Sequence, residues 1–355
     1  MRRFTKIFFL LLLVLALAAC GSSNSTEGNS SDTGSETNNE SGNEGAAEET
    51  SGAQTPATVE ITDAHGTVTV PVNPETVVSL DNRTFETLEA WGIKLAAAPK
   101  GVMPKDSAYV NDESVQDVGN HREPNLEVIA AVDPDLVIVG QRFASFYEDI
   151  KKLVPNAAVV DFNIDVSGEN GLPGDNLVNG FKEITLALGQ IFNKNDEAQE
   201  LVAQFEQALE EAKAAYNGTD KIMSVIVSGG NIGFSAPSVG RVWGPLYDIF
   251  GWVPALEGNE KNSSDHQGDE VSVEAIAQSN PDWIMVLDRD AAISNLEQEY
   301  VPAQDVIENS PALQKTTAVS KGQIIYAPAD TYTNESVQTY IEIFQEIAKR
   351  FNEAK

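Results

Sequence analysis

The stretch NLEVIAAVDPDLVIVGQR, residues 125–142, recurs in similar form as SVEAIAQSNPDWIMVLDR at residues 272–289. Each copy begins with Asn or Ser before an amphipathic helical pattern, passes a Pro-Asp turn and ends in an apolar run of strand length. Such apolar strands are typical of a parallel sheet covered on both faces, where ligands bind beyond the carboxyl ends of the strands. Arg142 and Arg289, which end the two copies, are therefore predicted to lie at a binding edge.

Alternating strand and helix patterns surround both copies, and their order after the second copy resembles that around the first. Alternating Val and Thr on either side of His65-Gly66 predict a β-hairpin at the start of the folded body. We predict an α/β protein of two Rossmann-like lobes, residues 58–195 and 218–355, joined by one long α-helix at residues 196–217.

The N-terminus has the layout of a secretory signal at residues 1–19, with basic residues before an apolar segment too short to span a bilayer. The sequence Leu17-Ala18-Ala19-Cys20-Gly21 resembles a bacterial lipobox, so Cys20 is expected to become a lipidated N-terminus. An ordinary signal peptide with an incidental cysteine is the alternative. Residues 20–57 read as the lipidated cysteine and a disordered acidic linker, which predicts a cell-membrane protein anchored on the extracellular face, as in Gram-positive bacteria.

The charge of the chain limits its partners. The formal net charge is −31, so nucleic-acid binding is excluded as a function. Arginines at the binding edges of both lobes stand out against this acidic background and predict a cleft for an anion. The arginines after residue 19 are Arg83, Arg122, Arg142, Arg241, Arg289 and Arg350.

The hairpin sequence DAHGTVTVP, the twin E-x-I-A-x-x-x-P-D segments and the single long helix together resemble the class III periplasmic-type solute-binding proteins. These proteins serve importers of iron-siderophore complexes, haem and vitamin B12. Within the family the chain resembles lipoproteins that bind catecholate siderophores of the petrobactin and enterobactin type. The resemblance implies a monomeric receptor without enzymatic activity or a permanent cofactor. It would carry ferric iron as a siderophore complex to an ABC permease and its ATPase.

The resemblance also implies roles for individual arginines. The segments GQRFASFYEDI, GFSAPSVGRVWGPLYDIFG and VLDR resemble family motifs at Arg142, Arg241 and Arg289. We expect these three to clamp the anionic complex, because guanidinium groups are permanently charged donors suited to catecholate oxygens. Arg122, in HREPNLE, or Arg83 is expected at the rim.

The histidines argue against a bare zinc or manganese carrier, which needs several converging His and carboxylate ligands. His65 lies in the hairpin turn and His121 precedes the first repeat, so only His266 is expected at the cleft. The resemblance makes His266 and Tyr332 candidate auxiliary iron ligands, although DHQG and DTYTNES here replace family patterns. Trp243 is a candidate for stacking on a flat ligand, the alternative being a core position.

Glu127 and Glu274 form the other matched pair of the repeat, each in the first turn of its helix. Stabilisation of the positive helix end is a sufficient explanation of both. The resemblance implies a second one, in which each carboxylate pairs with an arginine of the permease.

Other functions remain open at this point. Haem, cobalamin or an uncharged hydroxamate siderophore would suit the same fold, but neutral cargo would leave cleft arginines unpaired. A surface adhesin or structural lipoprotein would leave the arginines at the strand ends unexplained. The sequence has no G-x-S-x-G elbow, no P-loop and no Cys/His cluster, which argues against an enzyme.

Overall fold

Each repeat folds as a short helix followed by a buried strand of a parallel sheet, as the sequence predicts. Helix Leu126–Ala131 leads to strand Leu136–Val139 in the first copy, and helix Val273–Ser279 leads to strand Trp283–Asp288 in the second. The computed structural model describes residues 57–293 and 300–355. The predicted signal peptide, Cys20 and nearly all of the linker lie outside the described residues.

The first lobe combines an antiparallel hairpin with a five-stranded parallel sheet of order β5-β4-β3-β6-β7. Its strands are β1 (Thr58–Asp63), β2 (Gly66–Pro71), β3 (Val77–Ser79), β4 (Ala97–Ala98), β5 (Gln116–Asp117), β6 (Leu136–Val139) and β7 (Ala158–Asp161). Its helices are α1 (Phe85–Ala90), α2 (Ala108–Asn111), α3 (Leu126–Ala131) and α4 (Tyr147–Leu153). The hairpin of β1 and β2 turns at the predicted place, around His65.

Two long helices, α5 (Pro173–Ile191) and α6 (Asn195–Ala215), lead to the second lobe. Its strands are β8 (Lys221–Ser228), β9 (Asn231–Phe234), β10 (Val253–Pro254), β11 (Trp283–Asp288) and β12 (Ile324–Tyr326). Its helices are α7 (Gly244–Phe250), α8 (Val273–Ser279), α9 (Arg289–Ile293), α10 (Ala303–Glu308), α11 (Thr317–Lys321) and α12 (Val337–Glu353). The sheet order is β10-β8-β11-β12, all parallel, with β9 antiparallel to β8.

The long helices share one aromatic core. The ring of Phe181 on α5 lies 5.8 Å from that of Phe205 on α6 and 4.9 Å from that of Tyr340 on α12. Phe205 in turn lies 5.6 Å from Phe344 of α12. The predicted interlobe helix corresponds to α6, and α5 was not predicted. No helix within the described residues is long and apolar enough to cross a membrane.

The Pro-Asp turns of the two repeats have the same local structure. The residue before each proline, Asp133 or Asn280, has a φ of 47°. The following aspartate accepts hydrogen bonds from the chain entering a neighbouring strand. Asp135 accepts from the amides of residues 75 and 76 at 2.9 and 2.8 Å, and Asp282 accepts from the amide of Lys221 at 2.9 Å. Each turn therefore holds the start of β3 or β8 beside its own strand.

Hydrogen bonds join the first lobe to the beginning of α12. Glu86 of α1 accepts from Ser336 Oγ and from Asn334 Nδ2, and Thr87 Oγ1 lies 3.0 Å from Gln338 Oε1. Ser336 also caps α12, because its Oγ accepts from the Thr339 amide at 3.0 Å. The segment before α12 is thus fixed against α1.

Candidate ligand-binding site

The repeated strands deliver an arginine to the same edge of the molecule. Arg289 directly follows β11 and begins α9, whereas Arg142 follows β6 after Gly140 and Gln141. A β carbon at Gly140 would lie 2.2 Å from Cγ of the buried Asp81. Glycine therefore lets the chain leave β6 in contact with this carboxyl group, on the way to Arg142.

Three guanidinium groups converge on the ring of Tyr332. The Cζ atoms of Arg142 and Arg289 each lie 5.0 Å from the ring centroid, and that of Arg241 lies 4.6 Å from it. Tyr332 belongs to the segment between β12 and α12 and is 6% exposed. The negative face of an aromatic ring attracts cations at such distances, which helps three like charges to share one site.

Each of these arginines also has an acceptor within the protein. Arg142 Nη2 donates to the backbone carbonyl of Tyr332 at 2.5 Å, and Arg289 Nη1 donates to Ser228 Oγ at 3.0 Å. Arg241 Nη2 is hydrogen bonded to Glu335 Oε1. The guanidinium Nε atoms of all three are buried without a partner among the described residues, so each has further capacity to donate.

Arg142 and Arg241 line an open pocket of about 390 Å³ between the lobes, and Arg289 lies next to it, 5.0 Å from the centroid of the Tyr332 ring. The residues that line it are His121, Arg122, Arg142, Arg241, Ser263, Ser264, Asp265, His266 and Tyr332. The expectation that only His266 would reach the cleft was wrong, since the turn before α3 brings His121 there too. Arg122 lines the pocket as an exposed side chain, in keeping with the predicted rim position.

A buried carboxylate lies beside the arginines. Glu335 is 2% exposed, and besides its bond to Arg241 it has Oε2 3.8 Å from Nη2 of Arg83. Burial alone would raise the pKa of Glu335, but Arg241, Arg83 and Arg142 outweigh burial and lower it. Glu335 is therefore an anion at neutral pH. It was not predicted, and the only sequence signal is its place in DTYTNES, where the chain departs from the family pattern.

Arg142 and Arg241 keep their charge at neutral pH, whereas the two histidines of the pocket do not. Burial and the neighbouring Arg241 lower the pKa of Arg142 to about 10, which still leaves it protonated at neutral pH. Burial would lower the pKa of Arg241, but Glu335 raises it. Burial and nearby arginines lower the pKa of His121, and burial lowers that of His266 despite Asp265. Both imidazoles are therefore neutral at neutral pH.

Two predicted ligand contacts are corrected by the structure. Arg83 is 4% exposed and faces Glu335, so it lies beneath the pocket and not at its rim. Trp243 is fully buried at the start of α7, within the apolar core, so its ring cannot stack on a ligand in the pocket. Its position follows from the sequence, because an aromatic residue at the start of a helix commonly packs inward.

The remaining candidates are Glu127 and Glu274 of the repeat and His266, which precedes its second copy. Glu127 and Glu274 are exposed in the first turns of α3 and α8, one on each lobe. His266 Nδ1 lies 3.5 Å from Asp265 Oδ2. Within residues 57–293 and 300–355, no group of three or more His, Cys, Asp or Glu side chains could hold a metal ion.

The sequence and fold of the chain resemble those of known proteins. Residues 77–331 match the profile of a family described as periplasmic binding protein. The chain belongs to this family. Its relatives in the family are solute-binding proteins and not enzymes, as the sequence predicts, and the predicted two-lobed class III fold is confirmed.

Two relatives of the chain are named for the siderophores or iron complexes that they bind. The chain is 29% identical over 335 residues to the petrobactin-binding protein YclQ of Bacillus subtilis, covering 94% of this chain and 93% of the relative. It is 29% identical over 290 residues to the ferric-anguibactin-binding protein FatB of Vibrio anguillarum, covering 81% and 85%. The crystal structure of YclQ superposes with a TM-score of 0.67 at 25% identity, covering 83% of this chain and 98% of that one.

Proposed function

We propose that this protein is an extracytoplasmic receptor for an anionic ferric-siderophore complex of the catecholate type, which it delivers to an ABC importer. The observation that carries the proposal is the convergence of Arg142, Arg241 and Arg289 on one ring beside an open pocket. Relatives named for petrobactin and ferric anguibactin support the same cargo class.

The chemistry of the pocket suits such cargo. Ferric iron prefers oxygen donors, and a hexadentate siderophore supplies all six, so the protein need not bind the metal. A ferric tris-catecholate carries about three negative charges, and charge-assisted hydrogen bonds from guanidinium groups to its oxygens are strong. Arg122 contributes from the rim. His266 and Tyr332 remain candidates for contact with the complex, and neutral His266 for an auxiliary iron ligand.

The partners follow from the family. Lipidation of Cys20 would anchor the protein on the outer face of the cell membrane. Glu127 and Glu274, exposed on the two lobes, would dock on arginines of the permease, whose ATPase drives import. The receptor acts as a monomer in this proposal, with the cargo held between its lobes.

Quenching of tryptophan fluorescence by a panel of ferric siderophores tests the cargo class. We expect quenching by catecholates at much lower concentrations than by hydroxamate or citrate-based complexes, haem or cobalamin. The variants Arg142→Ala and Arg289→Ala should each weaken catecholate binding roughly ten- to hundredfold, because each loses a charged donor. Arg350→Ala is the matched control, because it removes an arginine of α12 that donates to the backbone carbonyl of Gly322.

Quenching by haem, cobalamin or a neutral hydroxamate in preference to every catecholate would reassign the cargo. Absence of quenching by the whole panel would reject the receptor function.

A further inference from the structure

Glu335 is a buried anion in a site that should attract anions. It lies two residues before α12, hydrogen bonded to Arg241 and facing Arg83, with 2% of its surface exposed. It does not line the pocket. A carboxylate so placed cannot touch the cargo, yet it acts on every charge nearby because burial weakens screening.

The charges around the pocket form one cluster. Four arginines and one unambiguous carboxylate anion meet there, so positive charge is in excess even before the rim is counted. Asp290 adds a partly exposed carboxylate 3.9 Å from Arg289, and buried Asp81 adds a carboxyl group next to Arg83. The members are Arg83, Arg142, Arg241, Arg289, Glu335, Asp81 and Asp290.

We propose that Glu335 sets the charge of the cargo that the pocket selects, by cancelling one positive charge of the cluster from beneath. Arg83 acts in the opposite sense from the same buried layer. The inference rests on the proposed function, because it concerns how the same pocket chooses among ferric complexes. In this arrangement the arginines at the pocket supply hydrogen bonds, while the buried pair adjusts the electrostatic potential that the cargo meets.

A purely structural role for Glu335 makes a different prediction. If the carboxylate only held Arg241 in place, its loss would weaken binding of every complex by one factor, whatever the cargo charge. If it sets the potential, the effect must grow with each negative charge on the cargo. At an effective dielectric constant of about 20, one unit charge roughly 10 Å away alters affinity about tenfold per ligand charge.

The test uses ferric complexes that differ in charge but not in metal. Replacing the catecholate arms of a tripodal ligand one at a time by hydroxamate arms removes one negative charge at each step. Dissociation constants for this series give the dependence of affinity on ligand charge. We expect Glu335→Gln to steepen it about tenfold per charge and Arg83→Gln to flatten it by a similar factor.

Three further variants separate charge from structure. The double variant Arg83→Gln/Glu335→Gln should return the charge dependence to that of the wild type. Glu335→Asp should keep it even if overall affinity falls. Glu206→Gln, which removes the partner of Lys182 on the surface of the long helices, should leave it unchanged.

Equal weakening of every complex by Glu335→Gln, with no change from Arg83→Gln, would overturn the inference and leave the receptor function standing. Should Glu335→Gln fail to fold, an unchanged charge dependence in Arg83→Gln would overturn it equally. A wild-type protein that binds none of the series would instead reject the proposed function.

Discussion

Asp81 is a fully buried carboxyl group below the pocket. Its Oδ1 accepts from the backbone amide of Arg83 at 3.2 Å, while its Oδ2 is buried without a partner among the described residues. Burial raises its pKa to about 7, although Arg83 acts to lower it. The pKa of an aspartate in an unfolded chain is near 3.9, so folding makes the Asp81 carboxyl group a much weaker acid.

The sign of the resulting pH dependence is defined. Between about pH 4 and pH 7 the folded protein keeps a proton that the unfolded chain releases, so the stability due to Asp81 falls as pH rises. Asp81→Asn does not titrate. We therefore expect it to gain stability relative to the wild type over this range, by up to roughly 4 kcal/mol.

Urea unfolding of both proteins at pH 4.5 and pH 7.5 measures this difference. The two proteins differ only at residue 81 and share all the remaining titrating groups, so the wild type is the matched reference. A difference in unfolding free energy that is the same at both pH values would contradict the assignment.

Site residues whose position is fixed by nearby sequence could be predicted, whereas those whose position depends on distant contacts could not. Arg142 and Arg289 could be found because the repeat fixes them at strand ends, and Arg241 because its loop resembles a family motif. Glu335 and Asp81 could not, since their importance arises only where α12 meets the first lobe. The inward position of Arg83 has the same origin, because its partner Glu335 is distant in sequence.

At the scale of elements, the Pro-Asp turns help to align neighbouring strands in both sheets. Asp135 accepts two backbone hydrogen bonds and Asp282 accepts one. We expect Asp135→Ala to lower the free energy of unfolding by roughly 1–2 kcal/mol, and Asp282→Ala by less, because fewer amides lose their partner.

Urea denaturation of the purified variants checks this prediction. Asp149→Ala is the control, since Asp149 forms an exposed ion pair with Lys152 and such surface pairs contribute little. Equal stability of Asp135→Ala and Asp149→Ala would show that the turn does not hold β3.

Helix α5 is the one long element that was not predicted from the sequence, and its glycines explain why. Leu177, Phe181, Ile184 and Leu188 form a regular buried stripe, but three glycines interrupt the helical propensity. Those glycines allow close contacts: a β carbon at Gly180 would lie 2.7 Å from Ile164, and one at Gly189 would lie 2.5 Å from Ala198. Tertiary packing therefore overrides a local preference that argues against a helix.

At the scale of the whole molecule, the repeat also provides two matched exposed carboxylates. If Glu127 and Glu274 dock on the permease, Glu127→Ala/Glu274→Ala should abolish most siderophore-dependent iron uptake by cells. Ligand binding by the purified protein should be unaltered, because neither side chain lines the pocket.

Uptake of radiolabelled iron complex measures the effect. The control is Glu200→Ala/Glu211→Ala, which removes the same charge from exposed positions on α6. Normal uptake by the Glu127→Ala/Glu274→Ala strain would reject the docking role and leave helix stabilisation as their explanation.

The acceptors that hold the pocket arginines have a kinetic consequence. The Tyr332 carbonyl, Ser228 and Glu335 restrain the three guanidinium groups before cargo arrives, so little side-chain entropy remains to be lost on association. A preformed positive site captures anions at rates set by diffusion and long-range attraction. Complexes of equal charge should then enter at similar rates, and residence time should distinguish good cargo from poor.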